Sequence, residues 1–289
     1  MKILVTGGTG FVGPRIVHAL RAQDRDVRVL VRSPERGAHA QSIGAELAVG
    51  DVTDPDSLAA AANGCTHVIH LVAILTGKPA AFDLVMTQGT RNLVDAARNA
   101  GVERFVLMSA LGTGDVPYYR AKHAMEETVK ASGLEHVIFR PSFVFGHGGA
   151  LSTFVKQVKY SPVVTVIGPG VQRSQPIWID DVAAYFAASL DHPRAANRTF
   201  EIGGPDVVTW NELYRKIADT LGKKRALVHV PFGVARAGAR LTQSLPGAPL
   251  SADQVEMLAG PDNVVSNDDA VNVFGLPLMP LAEQLRRAA

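Results

Sequence analysis

The stretch from Lys2 to Leu20, KILVTGGTGFVGPRIVHAL, constrains the fold more than any other part of the chain. Four or five residues of strand character run into glycines at positions 7, 10 and 13, and these lead into a segment whose Val12, Ile16 and Leu20 share one helical face. A strand, a glycine turn and an amphipathic helix in that order open a βαβ unit. The glycines allow a tight turn and let backbone N–H groups at the helix N-terminus approach a pyrophosphate, where the macrodipole favours negative charge. Pro14 falls in the first helical turn, where its missing N–H is tolerated. In this context Gly7, Thr9, Gly10, Phe11, Val12 and Gly13 form the candidate cradle of a dinucleotide cofactor.

Short apolar runs then alternate with helical patterns through the first two thirds of the chain: DVRVLVR, AELAVGD, THVIHLVA, RFVLMS and HVIFRP, with periodic segments such as TRNLVDAARNAGV between them. The runs are rich in Val, Ile and Leu without polar alternation, as strands covered on both faces should be. The expected fold class is α/β, a Rossmann-type doubly wound parallel sheet with a smaller C-terminal substrate lobe. The dinucleotide-binding domain is expected over 1–146, also taking in about 176–203. The smaller lobe, for substrate or partner, is expected from 147–175 and 204–289.

Composition removes several alternatives. The 29 basic and 27 acidic residues nearly cancel and form no Lys/Arg run, so nucleic acid is not an expected partner. Cys65 is the one cysteine, which rules out an internal disulfide and a cysteine-based zinc site and suits a reducing compartment. His67 and His70 sit on alternating strand faces, so no metal site is expected there, and His70 reads as a hydrogen-bonded core or ribose-side histidine. No apolar stretch has the length of a signal peptide or a membrane span, so the expected location is cytoplasmic, or peripheral to a membrane through a partner.

Nineteen residues beyond Gly13 the second apolar run ends at Arg32, where selection of NAD usually calls for an acidic residue. A guanidinium suits a ribose 2′-phosphate, with Ser33 and Arg36 assisting, so NADP(H) is the expected cofactor and NAD(H) the alternative. Asp51, at the end of the third run, is placed either to accept from the adenine amino group or to cap the helix that TDPDSL begins.

TGGTGFVG, GDVTD, HVIHLVA, GTRNLVDAARNAGVERFVLMSA, the Tyr118/Lys122 pair, FRPSFVFG, WIDDVA and FEIGGPD, in this order, resemble the extended short-chain dehydrogenase/reductase superfamily over nearly the whole chain. PSFVFG, SQPIWIDDVA and the tail LSADQVEMLAGPDNVVS are most similar to its atypical branch. That branch contains the NADPH-binding accessory subunit of respiratory complex I and bacterial relatives labelled nucleoside-diphosphate-sugar epimerases. The resemblance implies that Tyr118 is the general acid/base, that Lys122 lowers the Tyr118 pKa and holds the nicotinamide ribose, and that Ser109 bonds the substrate oxygen. Tyr119 is expected to point elsewhere. The resemblance extends the cofactor site to Val52, to Leu71, Val72 and Ala73, and to Arg140 and Pro141, and it places Arg173 near an anionic substrate group.

The chain departs from the family pattern at three places. Ser109 is followed by Ala110 where two serines are usual, nine positions separate Ser109 from Tyr118, and Met86 replaces the asparagine usual before the Gly-Thr pair. Three functions are compatible with these residues: an NADP(H)-dependent oxidoreductase acting on a carbonyl or alcohol, a non-catalytic NADPH-binding subunit of a redox assembly, and a sugar-nucleotide epimerase or dehydratase. VPFGVARAGARLTQSLPGAPL, small and apolar with Arg236 and Arg240, is expected to line or cover the substrate pocket.

Overall fold

The computed structural model describes residues 1–112, 114–242 and 250–289. Its centre is a seven-stranded sheet. β1 (Lys2–Thr6), β2 (Asp26–Val31), β3 (Glu46–Val49), β4 (His67–His70), β5 (Arg104–Met108) and β6 (Glu135–Pro141) lie in the order 3-2-1-4-5-6, and the strand Arg198–Ile202 pairs with β6 at the outer edge. Every pairing in this sheet is parallel. Ile3 and Val5 pack on one face with Ile16, Val17 and Leu20, while Leu4 joins Val68, Leu93 and Phe105 on the other. Burial on both faces is why the strands show no polar alternation; each fully buried aliphatic or aromatic side chain stabilises by about 1.5–3 kcal/mol.

Six helices alternate with these strands: α1 (Gly13–Arg21), α2 (Ala38–Ser42), α3 (Pro55–Ala62), α4 (Pro79–Phe82), α5 (Gly89–Asn99) and α6 (Pro117–Lys130). The π-helical turn Asp83–Gln88 joins α4 to α5. α3 is capped by Asp54, whose carboxylate accepts from the N–H groups of Asp56 and Ser57, a contribution of about 1 kcal/mol. Asp51, the cap considered from sequence, instead accepts from the backbone and side chain of Thr53 at 2.9 and 2.8 Å. The helix starts at Pro55, one residue beyond Asp54, and that spacing selects the cap.

Three strands end sooner than their apolar runs do, at Val31, Val49 and His70. Beyond these points the chain leaves the plane of the sheet, although Leu71 N–H still donates to Thr6 O at 3.0 Å and Gly50 N–H to Val31 O at 2.9 Å. Arg32, Asp51 and Leu71–Ala73 therefore lie in the loops at the C-terminal edge, where α/β sheets bind ligands.

Beyond β6 the helices Ala150–Tyr160 and Trp210–Thr220 pack together, with Phe154 edge-on to Trp210 and Tyr214, beside the parallel pair Val163–Ile167 and Ala226–Val230. Helix Ile179–Ser189 lies beside α1. Helix Asp268–Phe274 returns to the sheet, its Phe274 ring meeting Phe139, Tyr185 and Phe200. Among the described residues no helix is long and apolar enough to cross a membrane.

Candidate functional site

The strand order reverses between β1 and β4, opening a crevice at the C-terminal edge. Gly7 stands in it with φ of +75°, a conformation disfavoured for a side chain, and a Cβ there would come within 3.0 Å of the Leu71 carbonyl carbon and the Val72 nitrogen. The turn thus lies directly against the 71–73 segment. At Gly13 a Cβ would fall 2.6 Å from Gly8 Cα, so α1 also packs closely on its own entry turn. Gly10 is different: its N–H closes the turn onto Gly7 O at 3.0 Å, and a Cβ would meet only that oxygen, at 3.3 Å, with open space beyond. No side chain caps α1, and its first turn carries no carboxylate. Uncapped N–H groups, the positive end of the helix dipole and space over Gly10 fit a dinucleotide pyrophosphate. Gly8 was not singled out by the spacing, yet a Cβ there would press within 2.6 Å of a Val29 methyl group.

Arg32 and Arg36 are exposed just beyond β2, with Ser33 between them half-buried. Arg36 lines a small hollow of about 130 Å³ with Gly8, Thr9 and His39. His39 reaches this hollow from α2. Phe11 reaches from the glycine turn to the start of helix Ala150–Tyr160, where a Cβ on Gly149 would overlap its ring. The Val52 carbonyl accepts from Asn92 at 3.0 Å, tying the loop after β3 to α5.

Beneath the glycine turn runs a buried polar chain. Thr90 donates its hydroxyl hydrogen to Met86 O at 2.6 Å, so it accepts from His70 Nε2–H at 3.0 Å, and His70 Nδ1 accepts from Thr6 at 2.6 Å. The Met86 carbonyl that accepts this hydrogen bond belongs to the π-helical turn. Complete burial, assisted by the Lys122 charge, lowers the His70 pKa to about 3, so the ring is neutral at physiological pH. His70 is a structural link between Thr6 and α5.

α6 carries Tyr118 and Lys122 one turn apart on the same face. Lys122 is buried; its ammonium donates to Met108 O at 2.6 Å and lies 5.8 Å from the centre of the Tyr118 ring. Burial lowers the Lys122 pKa to about 7, an effect partly offset by the Glu126 charge, and burial raises the Tyr118 phenol above its ordinary range, with Tyr119 adding to the shift. Ser109 is buried with its hydroxyl donating to Glu126 Oε1. The same carboxylate receives both arms of Arg140, at 2.8 and 2.6 Å. Ser109 and Arg140 are thus brought together, but by Glu126, which sequence reasoning did not single out. Pro141 closes β6 and accepts from Leu111 N–H at 3.2 Å.

Arg173 is exposed and paired with Asp262, through its backbone N–H and its Nε, both at 2.7 Å. Next to this pair a cleft of about 360 Å³ separates the first turn of α6 from the segment 256–263. Its wall includes Tyr119, whose ring lies against Gly112 and edge-on to Tyr118 at 5.4 Å between centroids. Asn263 anchors the cleft floor, accepting from the Ser142 hydroxyl at 2.6 Å and donating to Leu111 O at 3.2 Å. Nothing in the local pattern around Asn263 marks it, because both partners lie over a hundred residues earlier. Of the segment expected to line or cover the pocket, Arg236 lines this cleft, and residues 243–249 lie outside the described residues.

Comparison with known proteins agrees with this geometry. The family described as NAD(P)H-binding matches residues 7–193. Ceramide reductase of Caulobacter vibrioides is 30% identical over 82% of this chain and 76% of its own length. The mitochondrial NADH dehydrogenase (ubiquinone) 1 alpha subcomplex subunit 9 of Arabidopsis thaliana is 29% identical over 96% of this chain and 73% of its own. A short-chain dehydrogenase/reductase superfamily protein from Agrobacterium tumefaciens, solved with bound NAD, is 25% identical and superimposes with a TM-score of 0.76, covering 100% of this chain and 96% of its own. With the glycine turn at the topological switch point and the matched region spanning most of the sheet, the chain belongs to the NAD(P)H-binding family and has the Rossmann fold of the short-chain dehydrogenases/reductases.

Proposed function

We propose that the protein is an NADP(H)-dependent oxidoreductase that moves hydride between nicotinamide and a carbonyl or alcohol carbon. The observation that supports this most is the placement of Lys122 one turn below Tyr118, its ammonium bound to the end of β5 and close enough to His70 to act on it through its charge. When bound, the reduced cofactor supplies a hydride to the carbonyl carbon. Tyr118 gives its phenolic proton to the carbonyl oxygen and becomes a phenolate, which the Lys122 cation stabilises; in the reverse direction the phenolate takes the alcohol proton. Lys122 is near half-protonation in the free protein at neutral pH, and a polyanionic cofactor beside it raises its pKa and strengthens the cation. Arg32 and Arg36, with no carboxylate at the end of β2, support NADP(H) over NAD(H). The test is loss of NADPH absorbance in the presence of aldehydes, ketones or quinones, repeated with Tyr118→Phe. Turnover that survives that substitution, or its absence with every carbonyl compound, removes this assignment.

A second function has its own support. The Ser109 hydroxyl is committed to Glu126, and Ala110 offers no replacement, so the hydroxyl that family members use on the substrate oxygen is withheld. That arrangement suits a protein that holds NADPH without turning it over and docks on a redox assembly. It predicts NADPH that stays bound and unoxidised through purification, together with a protein partner recovered from cells. Epimerisation of a sugar nucleotide has less support, since Asp262 occupies the Arg173 guanidinium.

A further inference from the structure

The cleft beside Tyr119 has a charge arrangement from which its ligand can be deduced. Its body is apolar, formed by the Tyr119 ring, Val116, Met257 and Pro261, and its volume of about 360 Å³ is at the small end for small-molecule sites. Among the described residues, the charged groups on its wall are Asp115, Glu256 and Asp262 against Arg236 alone. All four are paired. Arg236 is held by both oxygens of Glu256, at 2.6 and 2.8 Å, Asp262 holds Arg173, and Asp115 holds Arg120.

We propose that this cleft is the substrate site and that it takes an uncharged carbonyl or alcohol compound with an apolar body, discriminating against carboxylates and phosphates. The assignment of redox chemistry to the cleft rests on the oxidoreductase function proposed above; the charge selection rests on the cleft alone. An anion entering here meets no unpaired cation, because Arg236 is already held bidentately by Glu256, and it must give up its hydration against an apolar wall with nothing to replace it. A neutral ring or chain loses no charge pairing and covers the apolar wall. The position also suits the chemistry, because Tyr119 touches Tyr118 edge-on and Asn263 ties the cleft to the loop after β5.

The experiment compares 4-methylbenzyl alcohol with 4-(hydroxymethyl)benzoate, which differ chiefly by one carboxylate, on NADP⁺-saturated protein. Binding is measured by calorimetry or ligand-observed NMR, and oxidation is followed separately by NADPH formation. The neutral alcohol is expected to bind about tenfold or more tightly than the carboxylate, the scale expected when unit charges meet at a partly exposed site. Glu256→Gln, which frees Arg236, should narrow that gap; Met257→Lys, which adds a cation without breaking a pair, should narrow it as well. Equal binding of the two compounds, binding of neither, or an unchanged ratio in both folded variants overturns the proposal. Binding of the neutral alcohol with no oxidation leaves the charge selection standing and removes the oxidoreductase function. Oxidation of both compounds with equal affinity does the reverse.

Discussion

Lys122 and Tyr118 are separated by one turn of α6, with the ammonium 5.8 Å from the phenol ring centre and bonded at 2.6 Å to the carbonyl that ends β5. Lys122→Ala is expected to weaken NADPH binding by about 1.5–3 kcal/mol, the scale of a hydrogen bond to a charged group. Tyr118→Phe keeps the ring and should leave affinity nearly unchanged while turnover falls roughly 100-fold or more. Tyr119→Phe keeps the cleft wall and should do neither. Calorimetric dissociation constants and initial rates on the three variants separate the clamp from the proton donor.

Lys122 also predicts a pH dependence of stability. Its pKa is about 7 in the folded protein against 10.5 for an ordinary lysine. Below pH 7 it is charged in both states and the native state bears the full cost of burying the ammonium; between these values the unfolded chain holds a proton the native state has lost, so stability rises with pH. Lys122→Met should therefore raise Tm most at about pH 6, with the gain shrinking by about pH 9.5. A gain independent of pH would show that Lys122 is charged throughout.

Arg32→Asp removes a phosphate partner and adds repulsion at the end of β2. NADPH affinity is expected to fall tenfold or more, about 1.5–3 kcal/mol for each lost charge-assisted bond, while NADH affinity changes little or improves. The ratio of the two dissociation constants is the measurement; if it does not move, Arg32 does not face the ribose.

Gly10→Val places a branched side chain where the backbone leaves open space, with only the Gly7 carbonyl at 3.3 Å to accommodate. The variant should fold, with its circular dichroism spectrum retained, and lose cofactor binding because the side chain occupies phosphate volume. Normal NADPH affinity in the folded variant would place the pyrophosphate elsewhere.

Glu126 is buried and holds Ser109 and Arg140 together. Burial alone would raise its pKa, but hydrogen bonds from Arg140 and Ser109 hold the carboxyl below the ordinary range. Its stabilisation is thus present above the unfolded value of 4.5 and lost as pH falls through the folded value. Glu126→Gln should cost about 2 kcal/mol at neutral pH, less than for a fully buried pair because Arg140 is partly exposed. It should also flatten the acid limb of the stability profile in urea denaturation.

The alternation of strand, turn and helix was legible in the chain because its determinants are local. Val, Ile and Leu runs specify doubly covered strands, and among the glycines of the turn Gly7 and Gly13 hold positions that only a bare backbone fits. The i, i+4 spacing of Tyr118 and Lys122 likewise sufficed to put them on one helix face. Other features waited for the tertiary structure. Glu126 claims Ser109 from 17 residues away and Arg140 from 14, Asp262 claims Arg173 across 89, and Asn263 reaches Leu111 across 152. Backbone geometry and side-chain periodicity extend only a few residues along the chain, whereas the partner of a charged or amide side chain depends on which strand ends and loops the sheet order brings together.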